Sequence, residues 1–517
     1  MSILNVDQLS HYFGDQLLFK DINFRLLNRE KIGLIGPNGA GKTTLLKILS
    51  GKILPDSGKV ELLPKIQLGY LEQHILLSEG MKIKEYLQSA FQHLYDLEKE
   101  QQQLTVEMSS SDTEQLEKQL KRYGQIQDQL ECEDFYSIDT KIEEICAGLG
   151  IDAYGMETDV SKLSGGQRTK LLLAKLLLME PDVLLLDEPT NYLDYSHIQW
   201  LKEYLIKYAH SFILISHDTD FLNQVVNVIF HLEHKQLTRY TGNYQQFMAA
   251  YELRKHQLHA AYNRQQDEIK KLETYIQKNK ARSSTSKQAK SREKRLLKMD
   301  KLVKPEETPN PRFSFKVSER PTSTIVEGKK VFVGYNTSLL ASLNFKLARD
   351  EKVAIIGHNG IGKSTLLKTI IGEISPLQGE IKYGQNIRYS YFSQEWNFAT
   401  EVTPLEYIWS LNPTMLQKEI RQALARAGLK KEHMFKSIPS LSGGEQTKVR
   451  LTQLMLENTN WLILDEPTNH LDVQAKESLS RALQQYEGTV LIVSHEPEFY
   501  REWCTQVWDL ELLKQNE

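Results

Sequence analysis

The chain has 517 residues, too many for one domain at about 100–200 residues each and enough for two or three. Apolar residues make up 40% and charged residues 25%, the net charge is -3, and no apolar run approaches the roughly 18 residues needed to cross a membrane, so the chain is neither a channel nor a complete transporter. Cys132, Cys146 and Cys504 form no Cys-x-x-Cys pair, which argues against a disulfide scaffold, a zinc finger or an iron–sulfur cluster; with no signal peptide visible, the cytoplasm is the expected compartment.

From the amino end, Ile32-Gly33-Leu34-Ile35 reads as a strand, and a helical pattern begins at Thr44. Between them stands Gly36-Pro37-Asn38-Gly39-Ala40-Gly41-Lys42-Thr43. Strand, glycine-rich loop and helix together are the context of a phosphate loop. Glycines let backbone N–H groups curve around an anion, and the helix N-terminus adds positive potential. Lys42 is expected on the β- and γ-phosphates and Thr43 on Mg²⁺, with Gly36, Asn38, Gly39, Gly41 and Thr44 completing the nucleotide contacts. Gln73, in Tyr70-Leu71-Glu72-Gln73, joins the expected metal set.

Residues of about 90–133 read as a helical hairpin. Phe91, Leu94, Leu97, Leu104 and Met108 make one stripe, and Leu116, Leu120, Tyr123 and Leu130 a second. Ser109-Ser110-Ser111-Asp112 makes the turn, with Ser111 and Glu114 as a capping box. Residues 91–131 hold nine acids and four bases, a net of -5.

Ser164-Gly165-Gly166 opens a helix and offers a second anion cradle. Val183-Leu184-Leu185-Leu186 reads as a buried parallel strand ending in Asp187-Glu188. Carboxylates there face the nucleotide crevice of a doubly wound sheet. Asp187 suits the Mg²⁺ shell, and Glu188 suits activation of the attacking water. His217 ends another apolar strand, 30 residues after Asp187, and is assigned to sensing phosphate.

From Gly242 to about Pro305 the pattern is two helices, the first about 35 residues and so roughly 50 Å long. It carries Tyr244, Phe247, Met248, Tyr251, Leu258, Tyr262, Ile269, Leu272 and Ile276. Residues 278–304 contain 11 Lys or Arg and two acids, a net of +9, which leaves -12 for the rest of the chain. That asymmetry points to a polyanion, and the lack of any aromatic residue there favours backbone contact with folded RNA over base stacking. Lys287, Lys290, Arg292, Lys294 and Arg295 are the expected RNA contacts.

The chain then repeats itself. Gly357-His358-Asn359-Gly360-Ile361-Gly362-Lys363-Ser364 and Gln394 repeat the phosphate loop and its glutamine at an offset of 321. Ser442-Gly443-Gly444, Asp465-Glu466 and His495 repeat the later motifs at an offset of 278. The first copy therefore carries 43 more residues between Gln73 and Ser164. Gly357, Asn359, Gly360, Gly362, Lys363, Ser364 and Thr365 are expected on a second nucleotide, with Ser364, Gln394 and Asp465 on its Mg²⁺ and Glu466 and His495 in the roles of Glu188 and His217.

Phosphate loop, Leu163-Ser164-Gly165-Gly166-Gln167, Asp-Glu strand and histidine, in this order and twice, resemble the ATP-binding cassette (ABC) ATPases. Two cassettes in one chain without membrane spans are similar to the ABC-F subfamily. The implied fold is α/β: two tandem ABC-type P-loop ATPase domains (1–240 and 321–517), a helical arm inserted in the first, and a helical interdomain linker at 241–320. The resemblance implies a monomer with cassettes paired head to tail, Lys42 sharing one ATP with Ser442 and Lys363 the other with Ser164. It implies adenine stacking on Phe13, with Tyr12 beside it, and on Tyr335. It also implies action on the 70S ribosome: binding in the exit-tRNA (E) site, linker against P-site tRNA or rRNA and the peptidyl-transferase centre, arm on the ribosomal L1 stalk, and release by hydrolysis. A housekeeping translation role is favoured over antibiotic protection because the linker tip, Ala281 to Ser286, is short. The ATPase subunit of a transporter with separate membrane spans is the rival from another class. Glu445 in place of glutamine, and Tyr192 where the second copy has His470, are the departures from the pattern.

Overall fold

The computed structural model describes residues 2–14, 16–37, 39–71, 80–108, 113–191, 193–279, 291–296, 299, 311–358, 360–393 and 401–514. Each half is built on a doubly wound sheet. In the first the strand order is Leu68–Tyr70, Val183–Asp187, Ser211–Ile215, Lys31–Ile35, Val228–Glu233 and Gln236–Thr241, parallel except for the last pair. In the second it is Tyr389–Phe392, Trp461–Asp465, Thr489–Val493, Lys352–Ile356 and Gln506–Asp509, all parallel. A three-stranded antiparallel sheet accompanies each, centred on Ser2–Phe13 and on Thr324–Phe332.

The apolar runs read as strands are buried on both faces. In Val183–Asp187, Val183 and Leu185 enter one core while Leu184 and Leu186 enter another. Trp461 and Ile463 are likewise separated from Leu462 and Leu464. Side chains alternate across a strand, so an unbroken apolar run is what a sheet covered on both faces requires.

The insertion is a helical hairpin, Gln92–Met108 and Thr113–Cys132. Its turn at 109–112 and the capping box of Ser111 and Glu114 fall outside the residues whose side chains are described. The second stripe differs from the one read in sequence. Leu120 is exposed and Ile126 fully buried, so the seam runs through Leu116, Gln119, Tyr123, Ile126 and Leu130. Alternating steps of three and four keep that seam on one face, and Leu120 lies off it. Arg122 bridges the hairpin, donating to both carboxylate oxygens of Glu100 at 2.7 and 2.8 Å.

The linker's first helix is Tyr244–Asn279. Its root packs on the first cassette, with Phe247 buried in that core. Leu258, placed in the apolar stripe by spacing, is half exposed. At the far end of the linker, Phe313 is buried in the core of the second cassette, and Lys316–Val317 pairs with Asn458–Thr459. The segment read as the close of the linker thus packs on the second cassette from Phe313 onward.

Candidate active sites

Both phosphate loops lie between a central strand and a helix, Lys42–Leu49 in one cassette and Lys363–Ile370 in the other. Gly41 and Gly362 cap these helices at φ 96° and 112°, left-handed conformations that glycine adopts without a Cβ penalty. Lys42 Nζ donates to the carbonyls of Gly36 at 2.8 Å and Pro37 at 3.1 Å. Lys363 repeats this on Gly357 at 2.8 Å and His358 at 3.1 Å. Asn38, Gln73, Asn359 and Gln394, all expected site residues, lie outside the described residues.

Glu188 and Glu466 follow the buried strands as the sequence requires, each at φ 50°. A left-handed conformation costs a residue with a Cβ about 1–2 kcal/mol. It is held on both sides. The N–H of Glu188 donates to the Ile215 carbonyl at 2.9 Å, and that of Glu466 to Val493 at 3.0 Å. Each glutamate carbonyl also accepts a turn hydrogen bond, from the N–H of Asn191 at 3.2 Å or of Asn469 at 3.3 Å. The result aims each carboxylate at its histidine. His217 Nε2 lies 3.3 Å from Glu188 Oε1, and His495 Nε2 lies 3.1 Å from Glu466 Oε1.

The two sites differ in acidity. Burial, and then the neighbouring Asp187, push the Glu188 carboxyl up to about 7. At Glu466 burial also acts upward, but the His495 imidazole 3.1 Å away and the charges facing the carboxyl outweigh burial and hold it below its ordinary value. Burial, with Lys42 and Lys476 adding to it, pushes His217 down to about 3, so its imidazole is neutral. Asp187 and Asp465 are raised by burial, Asp465 to about 6. Thr43 sits beside Asp187 and Ser364 beside Asp465. Asp187 Oδ2 and both Asp465 oxygens make no well-formed hydrogen bond among the described residues. Buried oxygens in that condition, next to a hydroxyl, form a hard donor set suited to Mg²⁺.

One cleft of about 2230 Å³ joins the two halves. It is lined by Gly39, Gly41, Lys42, Thr43 and Thr44 from one cassette and Gly360, Gly362, Lys363, Ser364 and Thr365 from the other. Ser164, Gly165, Gly166, Ser442, Gly443 and Gly444 line the same cleft, as do Glu188, Glu466, His217 and His495. Burial lowers the pKa of both phosphate-loop lysines, and carboxylates from both cassettes oppose it: Asp472 for Lys42, Asp194 for Lys363. Each site is therefore electrostatically composite. Phe13 lines the cleft, whereas Tyr335 is exposed and is not among the lining residues.

The signature serines cap helices Gly165–Leu178 and Gly443–Leu456. In the first, Ser164 and Gln167 bond reciprocally at 2.9 and 3.4 Å. In the second, Glu445 replaces the glutamine, accepts the Ser442 N–H at 3.0 Å and pairs with His433 at 2.6 Å. Gly155 stands at the position of that histidine in the first cassette.

Further contributors escaped the sequence reading. Asp194 and Asp472 were legible in principle, since Leu193-Asp194 and Leu471-Asp472 repeat at the offset of 278. Arg450 was not. It binds Ser393 at the end of strand Tyr389–Phe392 and stacks on Phe392 at 4.1 Å, while the first cassette has Leu172 at that offset. Glu511 accepts the His358 N–H at 2.9 Å and so braces the second phosphate loop. Pro37 has no N–H to give, and Glu233, the matching acid, instead accepts from Tyr251 Oη of the linker helix at 2.9 Å.

Of the expected RNA contacts, Lys287 and Lys290 lie outside the described residues. Arg292 stacks on Tyr275 at 3.6 Å, and Arg295 pairs with Glu268 at 2.8 Å, so both hold the linker's helices together. Lys294 faces solvent.

A family model described as ABC transporter matches residues 19–191 and 340–469, more than half of the chain, and a second of the same description matches residues 230–315. The uncharacterized ABC transporter ATP-binding protein YfmM of Bacillus subtilis is 50% identical over 511 residues, 99% of each chain. ABC transporter F family member 2 of Arabidopsis thaliana is 34% identical over 514 residues, 98% of this chain and 76% of that one. Among solved structures, the RNase-L Inhibitor shares the tandem fold with a TM-score of 0.60 at 18% identity, covering 97% of this chain and 87% of its own. Among the described residues no helix is long and apolar enough to cross a membrane. The chain belongs to the ABC-F family of tandem ATP-binding cassette ATPases, and the reaction its two sites carry out is the hydrolysis of ATP.

Proposed function

We propose that this ATPase is a ribosome-bound translation factor whose cassettes close on two ATP molecules and part after hydrolysis. Lys42 and Lys363 neutralise the β- and γ-phosphates, and Ser442 and Ser164 meet the same nucleotides from the opposite cassette. Phe13, which lines the cleft, stacks on one adenine, and Tyr335 is assigned to the other although it lies outside the cleft lining. Thr43, Gln73 and Asp187 would hold one Mg²⁺, and Ser364, Gln394 and Asp465 the other. When bound, the ion offsets charge developing on the transferred phosphate. Glu188 and Glu466 accept a proton from the attacking water, and His217 and His495 orient them and contact the γ-phosphate.

Family membership joined to one charge observation carries the ribosomal part of this reading. The linker carries a net +9 on a chain of net -3, and it projects on a helix of 36 residues, about 54 Å. Lys287, Lys290 and Lys294 serve as its RNA contacts, while Arg292 and Arg295 shape the hairpin. In the E site the linker would lie along P-site tRNA toward the peptidyl-transferase centre. The arm, at net -5, suits a basic ribosomal protein, and we take the L1 stalk as its partner.

Steady-state ATPase assays with purified 70S ribosomes test this. Ribosomes should raise the rate, and reversing Lys287, Lys290 and Lys294 should weaken that response and its salt dependence. A rate indifferent to ribosomes at every salt concentration would contradict the proposal.

A further inference from the structure

The duplication places two versions of one helical subdomain in the same molecule. At the offset of 278 their cores coincide: Ile142 with Ile420, Cys146 with Leu424, Ile151 with Leu429 and Val160 with Ile438, all buried. Their surfaces do not. Exposed Glu143, Asp152 and Glu157 of the first cassette become exposed Arg421, Lys430 and Phe435 of the second. Residues 139–158 carry five acids and one base, a net of -4; residues 417–436 carry two acids and six bases, a net of +4. The same core supports both signs, so folding does not require the basic one.

Aromatic planes accompany the charge. Trp409 stands at the offset of 321 from Gln88 and is 43% exposed on helix Pro404–Leu411. Phe435 is 49% exposed, with the Arg421 guanidinium 5.3 Å from its ring centroid. A positively charged surface bearing exposed rings and a stacked guanidinium is the chemistry that holds single-stranded nucleic acid, bases on the rings and phosphates on the cations. Exposed Trp, Phe and Arg would also suit a protein interface, so it is the net +4 of residues 417–436 that favours a polyanion. The linker's basic run has no aromatic residue at all, so it cannot supply base stacking.

We propose that the exposed surface of this helical subdomain in the second cassette, with the Arg421–Phe435 pair at its centre and Trp409 and Lys430 on the same packed elements, is a docking site for unpaired RNA. The ribosomal reading enters only as the source of that RNA; the contact itself is tested on RNA alone.

The test uses the full chain with Lys287→Glu, Lys290→Glu and Lys294→Glu, so that the linker does not mask the result, and a short labelled single-stranded RNA. Arg421→Glu, Lys430→Asp and Phe435→Glu install the first cassette's residues at exposed positions. They should weaken binding at least about tenfold and flatten the plot of log K against log salt by about 1.4, at roughly 0.7 for each phosphate that Arg421 and Lys430 no longer neutralise. Trp409→Ala should cost about fivefold or more by removing a stacking plane, with the salt slope unchanged. ATPase activity should be intact in both, which certifies the fold. Unchanged affinity in the triple variant would overturn the proposal. A photo-crosslinker at position 409 that joins only ribosomal protein would overturn it as well. Loss of binding to isolated RNA, in a chain that never associates with ribosomes, would uphold the RNA site and retire the ribosomal reading.

Discussion

Glu188 and Glu466 occupy equivalent backbone positions and differ in the charge around them. A general base must be ionised. Glu188, raised to about 7, gives up its base form as pH falls through that value, whereas Glu466, held below its ordinary value, stays ionised. The Glu466→Gln variant, which leaves Glu188 to act, should therefore lose ATPase activity as pH drops from about 8 to about 6. The Glu188→Gln variant should stay nearly flat over that range. Parallel pH profiles would contradict the assignment. The same shift has a stability sign. A carboxyl whose folded pKa is raised stabilises fully below its unfolded value and loses that contribution as pH climbs through the folded value. At pH 8 Glu188→Gln should thus stabilise the first cassette by up to roughly 3 kcal/mol, seen as a higher midpoint in thermal unfolding, and the gain should vanish near pH 4.

Elements decide which residues on a helix matter. On the arm, Ile126 is in the seam and Leu120 is not, despite equal hydrophobicity in the sequence. Ile126→Ala should cost the hairpin about 2–4 kcal/mol, and Leu120→Ala under about 0.5 kcal/mol, read as proteolytic susceptibility of the arm. Equal susceptibility would place the seam elsewhere. The linker helix is tied to the first nucleotide site. Its root bonds to Glu233, at the end of the strand whose residue His231 pairs with Ile35 just before the phosphate loop. The linker's other end pairs with Asn458–Thr459, which precede strand Trp461–Asp465 and lie at the edge away from the nucleotide. Removing the Tyr251 hydroxyl with Tyr251→Phe should cost about 1 kcal/mol locally, detectable as faster hydrogen exchange at the helix root. Helix existence and the hairpin were legible from periodicity. The face each helix buries was less so, because Leu120 and Leu258 satisfy a helical spacing while tertiary contacts select their neighbours.

For the whole molecule, the repeat arithmetic carried most of the information. Two offsets, 321 and 278, located both phosphate loops, both signature turns, both Asp-Glu strands and the place of the insertion along the chain. What they could not supply is contact across the cleft. Asp472 facing Lys42 and Asp194 facing Lys363 follow from how the cassettes pack, and no spacing along one chain encodes that. Arg450 and the His433–Glu445 pair are likewise tertiary, each present in one cassette and without a repeat to reveal it. Charge was legible as a total for the linker, but which arginines are spent on Tyr275 and Glu268 was not. A chain that closes on ATP and, when closed, sits on the ribosome should be trapped there when neither glutamate can support hydrolysis. The decisive experiment is therefore sedimentation of the Glu188→Gln, Glu466→Gln variant with 70S ribosomes, with and without ATP. Co-sedimentation that requires ATP is the expected outcome. A variant that binds ATP yet stays in the supernatant would show that closure and ribosome binding are not linked.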